Sequence, residues 1–120
     1  MFKPILEKLL DRIPGAQWAV VVGVDGVVID SSSRAQPPEL EILAADYSTQ
    51  LRSWQRIAEE TGTGGVQGSL IFTERGKIVF QMITPDYFLL VGLDEAGISG
   101  KARFEVTRSR PEFERELAFE

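Results

Sequence analysis

The sequence predicts an α/β domain, a five-stranded antiparallel sheet in the order 2-1-5-4-3 with helices on both faces. Three observations predict it. Apolar residues alternate between a three-to-four-residue period and short strand-like runs. The turns inside each group of strands are short, which makes those neighbours antiparallel. Two of the five runs are almost wholly apolar, as central strands covered on both faces are, whereas the other three interleave polar residues. The 120 residues suffice for one domain, enough to bury roughly two-thirds of the surface that the unfolded chain exposes.

Phe2, Ile5, Leu6, Leu9, Leu10 and Ile13 recur at helical spacing, with Lys3, Glu7, Lys8 and Asp11 on the opposite face. This is a short amphipathic first helix, stopped by Pro14-Gly15. Trp18 to Val24 follows as an apolar strand, and Asp25-Gly26 is the preferred dipeptide of a two-residue type I′ turn. The second strand, Val27-Val28-Ile29, then runs into Asp30 and a loop of three serines. Pro37-Pro38 opens a long helix to Glu60, with Glu39 and Glu41 near the positive end of its dipole. Its stripe is Leu40, Ala44, Tyr47, Leu51, Trp54 and Ala58, with Tyr47 and Trp54 expected to face the sheet. After Thr61-Gly62-Thr63-Gly64-Gly65 comes a meander of three strands, Gly68 to Glu74, Lys77 to Thr84 and Tyr87 to Leu93, with turns at Arg75-Gly76 and Pro85-Asp86. Ile98, Ala102, Phe104 and Val106 belong to a last, basic helix that Pro111 ends or kinks. Residues 1–110 thus read as the domain and 111–120 as a short acidic tail carrying Phe113, Leu117 and Phe119.

The first and fifth strands are the two apolar runs, so joining them gives the order 2-1-5-4-3. The long helix then carries the chain from one sheet edge to the other. At ~1.5 Å per residue it is roughly 34 Å long, against about 19–24 Å for five strands at ~4.8 Å spacing. It overhangs the sheet, and the overhang is free to meet a partner.

Composition excludes several chemistries. Thirteen Lys and Arg against eighteen Asp and Glu leave a net charge of −5, and the pI near 4.8 argues against nucleic-acid or anionic-lipid partners. The sequence contains no Cys and no His, which removes disulfides, thiolate metal sites, cysteine nucleophiles and the commonest general base. Asn is absent too, so there is no N-linked glycosylation site. The first residues do not resemble a signal peptide, and no apolar run is long enough to span a bilayer. A cytoplasmic protein without membrane insertion is expected.

Motif chemistry is equally sparse. Gly62, Gly64, Gly65 and Gly68 lie between a helix C-terminus and a strand, the wrong dipole end for a phosphate, and read as a turn. Gly76-Lys77 and Gly100-Lys101 lack the rest of a Walker loop. Ser31-Ser32-Ser33 has no base to activate a hydroxyl, and Arg34 reads as a solvated loop residue rather than a finger reaching a phosphate site. Glu59-Glu60 and Asp94-Glu95 are adjacent acids, not a cation loop. No catalytic, cofactor-binding or metal-ligating residue is expected. Residues 101–110 carry an excess of cations and 111–120 an excess of acids, which suits helix ends or an electrostatic docking strip.

Ile13-Pro14-Gly15-Ala16 before a hydrophobic strand, the Asp25-Gly26 hairpin, the long helix, the step near Gly64, the meander, and Gly97-Ile98-Ser99-Gly100-Lys101-Ala102-Arg103 opening the last helix together resemble the roadblock family. That family contains the roadblock-type dynein light chain and bacterial MglB-like proteins, and the likeness covers roughly residues 2 to 108. The resemblance implies a roadblock/profilin-like fold, dimerisation through the long helix and the third strand, and accessory or regulatory work on Ras-like GTPases.

From the residues, Leu70, Ile71 and Phe72 mark the third strand as an uncharged edge without proline, which needs cover. Leu43, Gln50, Arg52, Ser53 and Ile57 lie off the sheet-facing stripe of the long helix as contact surface for a partner or second protomer. The leading expectation is a homodimer that binds and regulates a small Ras-like GTPase without catalysis of its own. The alternative is a small-molecule sensor of profilin-like or PAS-like type, which the plain hydrophobes at the inward positions disfavour. A hydrolase is disfavoured further.

Overall fold

The computed structural model describes residues 2–118. The chain runs through α1 (Lys3–Arg12), β1 (Ala16–Gly23), β2 (Val28–Ser33), α2 (Leu40–Thr61), β3 (Gly68–Thr73), β4 (Gly76–Thr84), β5 (Tyr87–Asp94) and α3 (Ser99–Leu117). The strands form one antiparallel sheet in the order β2-β1-β5-β4-β3, as their apolar content predicts. Within β1 and β5 every second side chain points to the same face, so each strand feeds two cores. Ala19, Val21, Leu89 and Val91 join α1 and α3 on one face. Val20, Val22, Phe88 and Leu90 join α2 on the other. The result is three layers, with the long crossover helix alone on its side.

Three local expectations are corrected. The β1–β2 turn is not type I′, because that turn needs positive φ at both central residues, and no described residue other than glycine has one. Instead the Gly26 N–H donates to Gly23 O at 2.8 Å, the Gly23 N–H donates to Val27 O at 2.9 Å, and Gly26 has φ 92°. This is a three-residue loop with glycine at the left-handed position, tightened by Asp25 Oδ1, which accepts from the Val27 N–H. The three serines are not a loop either. Ser31, Ser32 and Ser33 pair with Val20, Ala19 and Trp18, because the central strand supplies partners for as long as β2 lies beside it.

Of the two outcomes expected at Pro111, an end or a kink, the end does not occur. α3 continues through it to Leu117, although proline removes one helical hydrogen bond. What offsets that loss is Phe113, which is buried in the α1–α3 core and stacks on Phe2. Glu112, Glu114 and Glu116 of the expected acidic tail therefore sit on the last turns of a packed helix. Phe119 and Glu120 lie outside the described residues.

Candidate partner interface

α2 divides into two faces. Ala44, Tyr47, Ser48 and Leu51 are buried toward the sheet, and Trp54 joins them half-buried. Tyr47 stacks on Phe80 at 5.7 Å, Trp54 lies 5.5 Å from Phe80, and Phe80 meets Phe88 edge-on at 5.1 Å. The two helix aromatics are thus core residues, as expected. The Tyr47 hydroxyl is enclosed without a hydrogen-bond partner, and burial pushes its pKa up to about 12, since the charged form loses its water. Ser48 Oγ donates to Val24 O at 2.5 Å, pinning α2 to the β1–β2 hairpin.

The outward face carries Gln50, Arg52 and Ile57, all exposed, with Ile57 at 56%. Arg52 donates to Ser48 Oγ and Thr49 Oγ1, both at 3.4 Å, so its guanidinium lies along the helix. Ser53 is half-buried and accepts from Arg56 at 3.4 Å. Leu43 is also half-buried and packs against the α2-side core, so it offers a partner less surface than its neighbour Ile42, 59% exposed.

Among the described residues β3 is an edge strand, paired with β4 alone. Its residues split between the two faces of the sheet. Leu70 pairs with Val79 and packs on the α1–α3 side, and Phe72, two residues on, shares that side. Ile71 pairs with Ile78, which packs on the α2 side. The expected interface residues therefore form two groups. Ile57 and Ile71 share the α2 face, where Trp54, Ile57, Ala58, Val66 and Ser69 line an open groove of about 380 Å³ at the seam with β3. Leu70 and Phe72 look the other way.

Arg34 is not free. It pairs with Asp11 and donates to Glu7 O at 3.4 Å, which draws it onto α1. Asp94 Oδ1 accepts from the Gly97 N–H at 2.9 Å, a structural role at the start of the last connection. Among the described residues no cluster of three or more acidic side chains could hold a metal, and no helix is long and apolar enough to cross a membrane.

A family model described as the Roadblock/LC7 domain matches residues 4–92, from α1 into β5. The chain belongs to the Roadblock/LC7 domain family. This Roadblock/LC7 chain is 30% identical over 101 residues to the uncharacterized protein MJ0714 of Methanocaldococcus jannaschii, covering 83% of each. Among solved structures, the gliding protein MglB from Thermus thermophilus superposes with a TM-score of 0.83 at 23% identity, over 89% of this chain and 81% of that one. An MglB solved in a tetrameric arrangement superposes with a TM-score of 0.87 at 23% identity, over 93% of this chain and 84% of that one. Both share the Roadblock/LC7 fold seen here.

Ile42 and Phe104 are further exposed apolar residues, 59% and 58% respectively, that the periodicity did not single out. A signal existed for Phe104. It lies two residues from both Ala102 and Val106, which at ~100° per residue puts it about 200° from the buried stripe.

Proposed function

We propose that this Roadblock/LC7 chain is a cytoplasmic homodimeric interaction module that binds and regulates a small Ras-like GTPase without contributing a catalytic residue. The observation that carries the reading is the edge of β3 and the exposed Ile57 near the C-terminal end of α2, with Ile57 and Ile71 on one face. Pairing β3 with β3 across a two-fold axis would satisfy the edge and bring two α2 helices side by side, an isologous arrangement. The tetrameric arrangement of the related MglB supports self-association on this fold.

The GTPase part of the reading is supported by family membership and by the poverty of the chain's own chemistry. A regulator without reactive groups acts by binding one conformation of its target more tightly, shifting the equilibrium by that difference in affinity. The GTPase's own Gln or Arg then does the chemistry. Gln50 and Arg52, exposed on α2, are the polar contacts offered to it.

The test is binding to a small Ras-like GTPase from the same organism, loaded with GDP or with a non-hydrolysable GTP analogue. The affinities should differ by about tenfold or more, a gap of ~1.4 kcal/mol. Equal affinities overturn the regulatory reading. Arg34→Ala should leave any rate effect unchanged, since Arg34 is held by Asp11; a large loss would show that the chain does supply a catalytic group.

A further inference from the structure

On the sheet face opposite α2, α1 packs against β1 and β2, and α3 packs against β4. Among the described residues no helix packs on β3 there as closely as α3 does on β4. The space left between α3 and β3 is a groove of about 780 Å³ whose lining includes Leu70, Gln81, Arg103, Phe104, Thr107 and Arg110. We infer that this groove is a second docking site, independent of the α2 surface, and that its occupant is an acidic amphipathic helix of another protein.

The size of the vacancy suits a helix. Helices pack about 8–10 Å apart and strands lie ~4.8 Å apart, so a helix laid beside α3, which packs on β4, is centred about two strand spacings away, at the sheet edge, with its flank against β3. The groove supplies an apolar contact for it. Leu70 forms the floor and packs on the α1–α3 core, while Phe104 stands 58% exposed on the wall. Phe72, on the same strand face as Leu70, is 69% exposed. A buried aromatic at the centre of a patch is the usual anchor of an interface.

Charge selects the partner. The chain as a whole carries −5, yet both charged residues lining the groove are arginines. Arg110 is shared with Glu114 at 3.7 Å and donates to Ile83 O at 3.0 Å. Arg103 has no carboxylate within ion-pair distance among the described residues. Lys101 stands 5.7 Å over the Phe104 ring, and it and Arg108 share the single buried carboxylate of Glu105, leaving a surplus of positive charge around the aromatic. An acidic rim on an apolar helix face complements this surface. Nucleic acid, though anionic, would be repelled by the rest of the molecule.

The probe is a displayed library of random peptides of about 16 residues, roughly 24 Å as a helix, selected on the full chain and counter-selected on a Phe104→Glu, Arg103→Glu double variant. Both side chains are exposed, so the variant should keep the wild-type circular dichroism and gel-filtration size. The expected winners carry apolar residues at i, i+3, i+4 and i+7 with Asp or Glu between them, and lose about tenfold or more in affinity on the double variant. GTPase binding through α2 should be unchanged by that variant, which separates this site from the previous reading. Enrichment of neutral or basic peptides, of peptides that bind both proteins equally, or of none overturns the proposal.

Discussion

Phe2 and Phe113, at opposite ends of the chain, stack in the same core with ring centroids 6.2 Å apart and planes 19° from parallel. Both are almost fully buried. The contact ties the last two turns of α3 to the residue that precedes α1, so the segment beyond Pro111 stabilises the fold. Phe113→Ala should cost about 3–5 kcal/mol in chemical denaturation, and truncation after Arg110 should lose at least as much. A loss below ~1 kcal/mol would mean that the stack is dispensable.

Gly92 in β5 lies against the Trp18 indole, and a Cβ there would clash with its Cε2, Nε1 and Cζ2 atoms. Trp18 pairs with Gly92 across the ladder and is itself buried. Gly92→Ala must therefore expel the indole or bend the sheet, at a cost of roughly 1–3 kcal/mol or more. Tryptophan fluorescence should shift to the red together with the loss of stability. An unshifted spectrum would place the indole elsewhere.

The buried Tyr47 hydroxyl makes stability sensitive to strong alkali. Its folded pKa of about 12 lies above the unfolded value of 10.0, so the native state holds the proton more tightly. The contribution is complete below the unfolded value and is lost as pH rises through the folded one. In a Tyr87→Phe background, where Tyr47 is the remaining tyrosine, phenolate absorbance should appear near pH 12 and accompany unfolding. Tyr47→Phe removes an unpartnered polar atom and should be neutral or stabilising by up to ~1 kcal/mol. A substantial destabilisation would reveal a partner for the hydroxyl.

Self-association can be tested on the α2 face without touching the core. Ile57 and Ile71 are both exposed, so Ile57→Glu and Ile71→Lys should fold normally and weaken the dimer by about tenfold or more, a loss of ~1.4 kcal/mol each. Sedimentation at tens of micromolar, on the order of a transient-to-stable dimer's range, would show the wild type as a dimer and the variants shifted toward monomer. A monomeric wild type would remove the homodimer reading, and the GTPase assay would then be repeated on the monomer.

The order of the sheet was legible because burial on both faces leaves a compositional mark. Trp18 to Val24 and Tyr87 to Leu93 are apolar throughout, and only central strands under two layers of helix tolerate that. The stripe of α2 was legible for the same reason, as Ala44, Tyr47 and Leu51 repeat with the helix period and end up against Phe80 and Phe88. Membership in the roadblock family was readable from short motifs in a set order, since their spacing encodes the turns between elements.

What the tertiary structure decided was which neighbour each residue meets. Asp25-Gly26 is compatible with more than one loop, and the pairing of Val28 with Val22 selected the longer one. Ser31 to Ser33 have weak strand preference, and the ladder with β1 overrode it. Pro111 marks a helix end by local rules, yet Phe113 found Phe2 and the helix went on. Leu70 and Ile71 are alike in sequence, but only the placement of α2 and α3 on opposite faces turned one toward each. Periodicity records that a side chain avoids water; it does not record which element covers it, because burial is non-directional and the covering element comes from far along the chain.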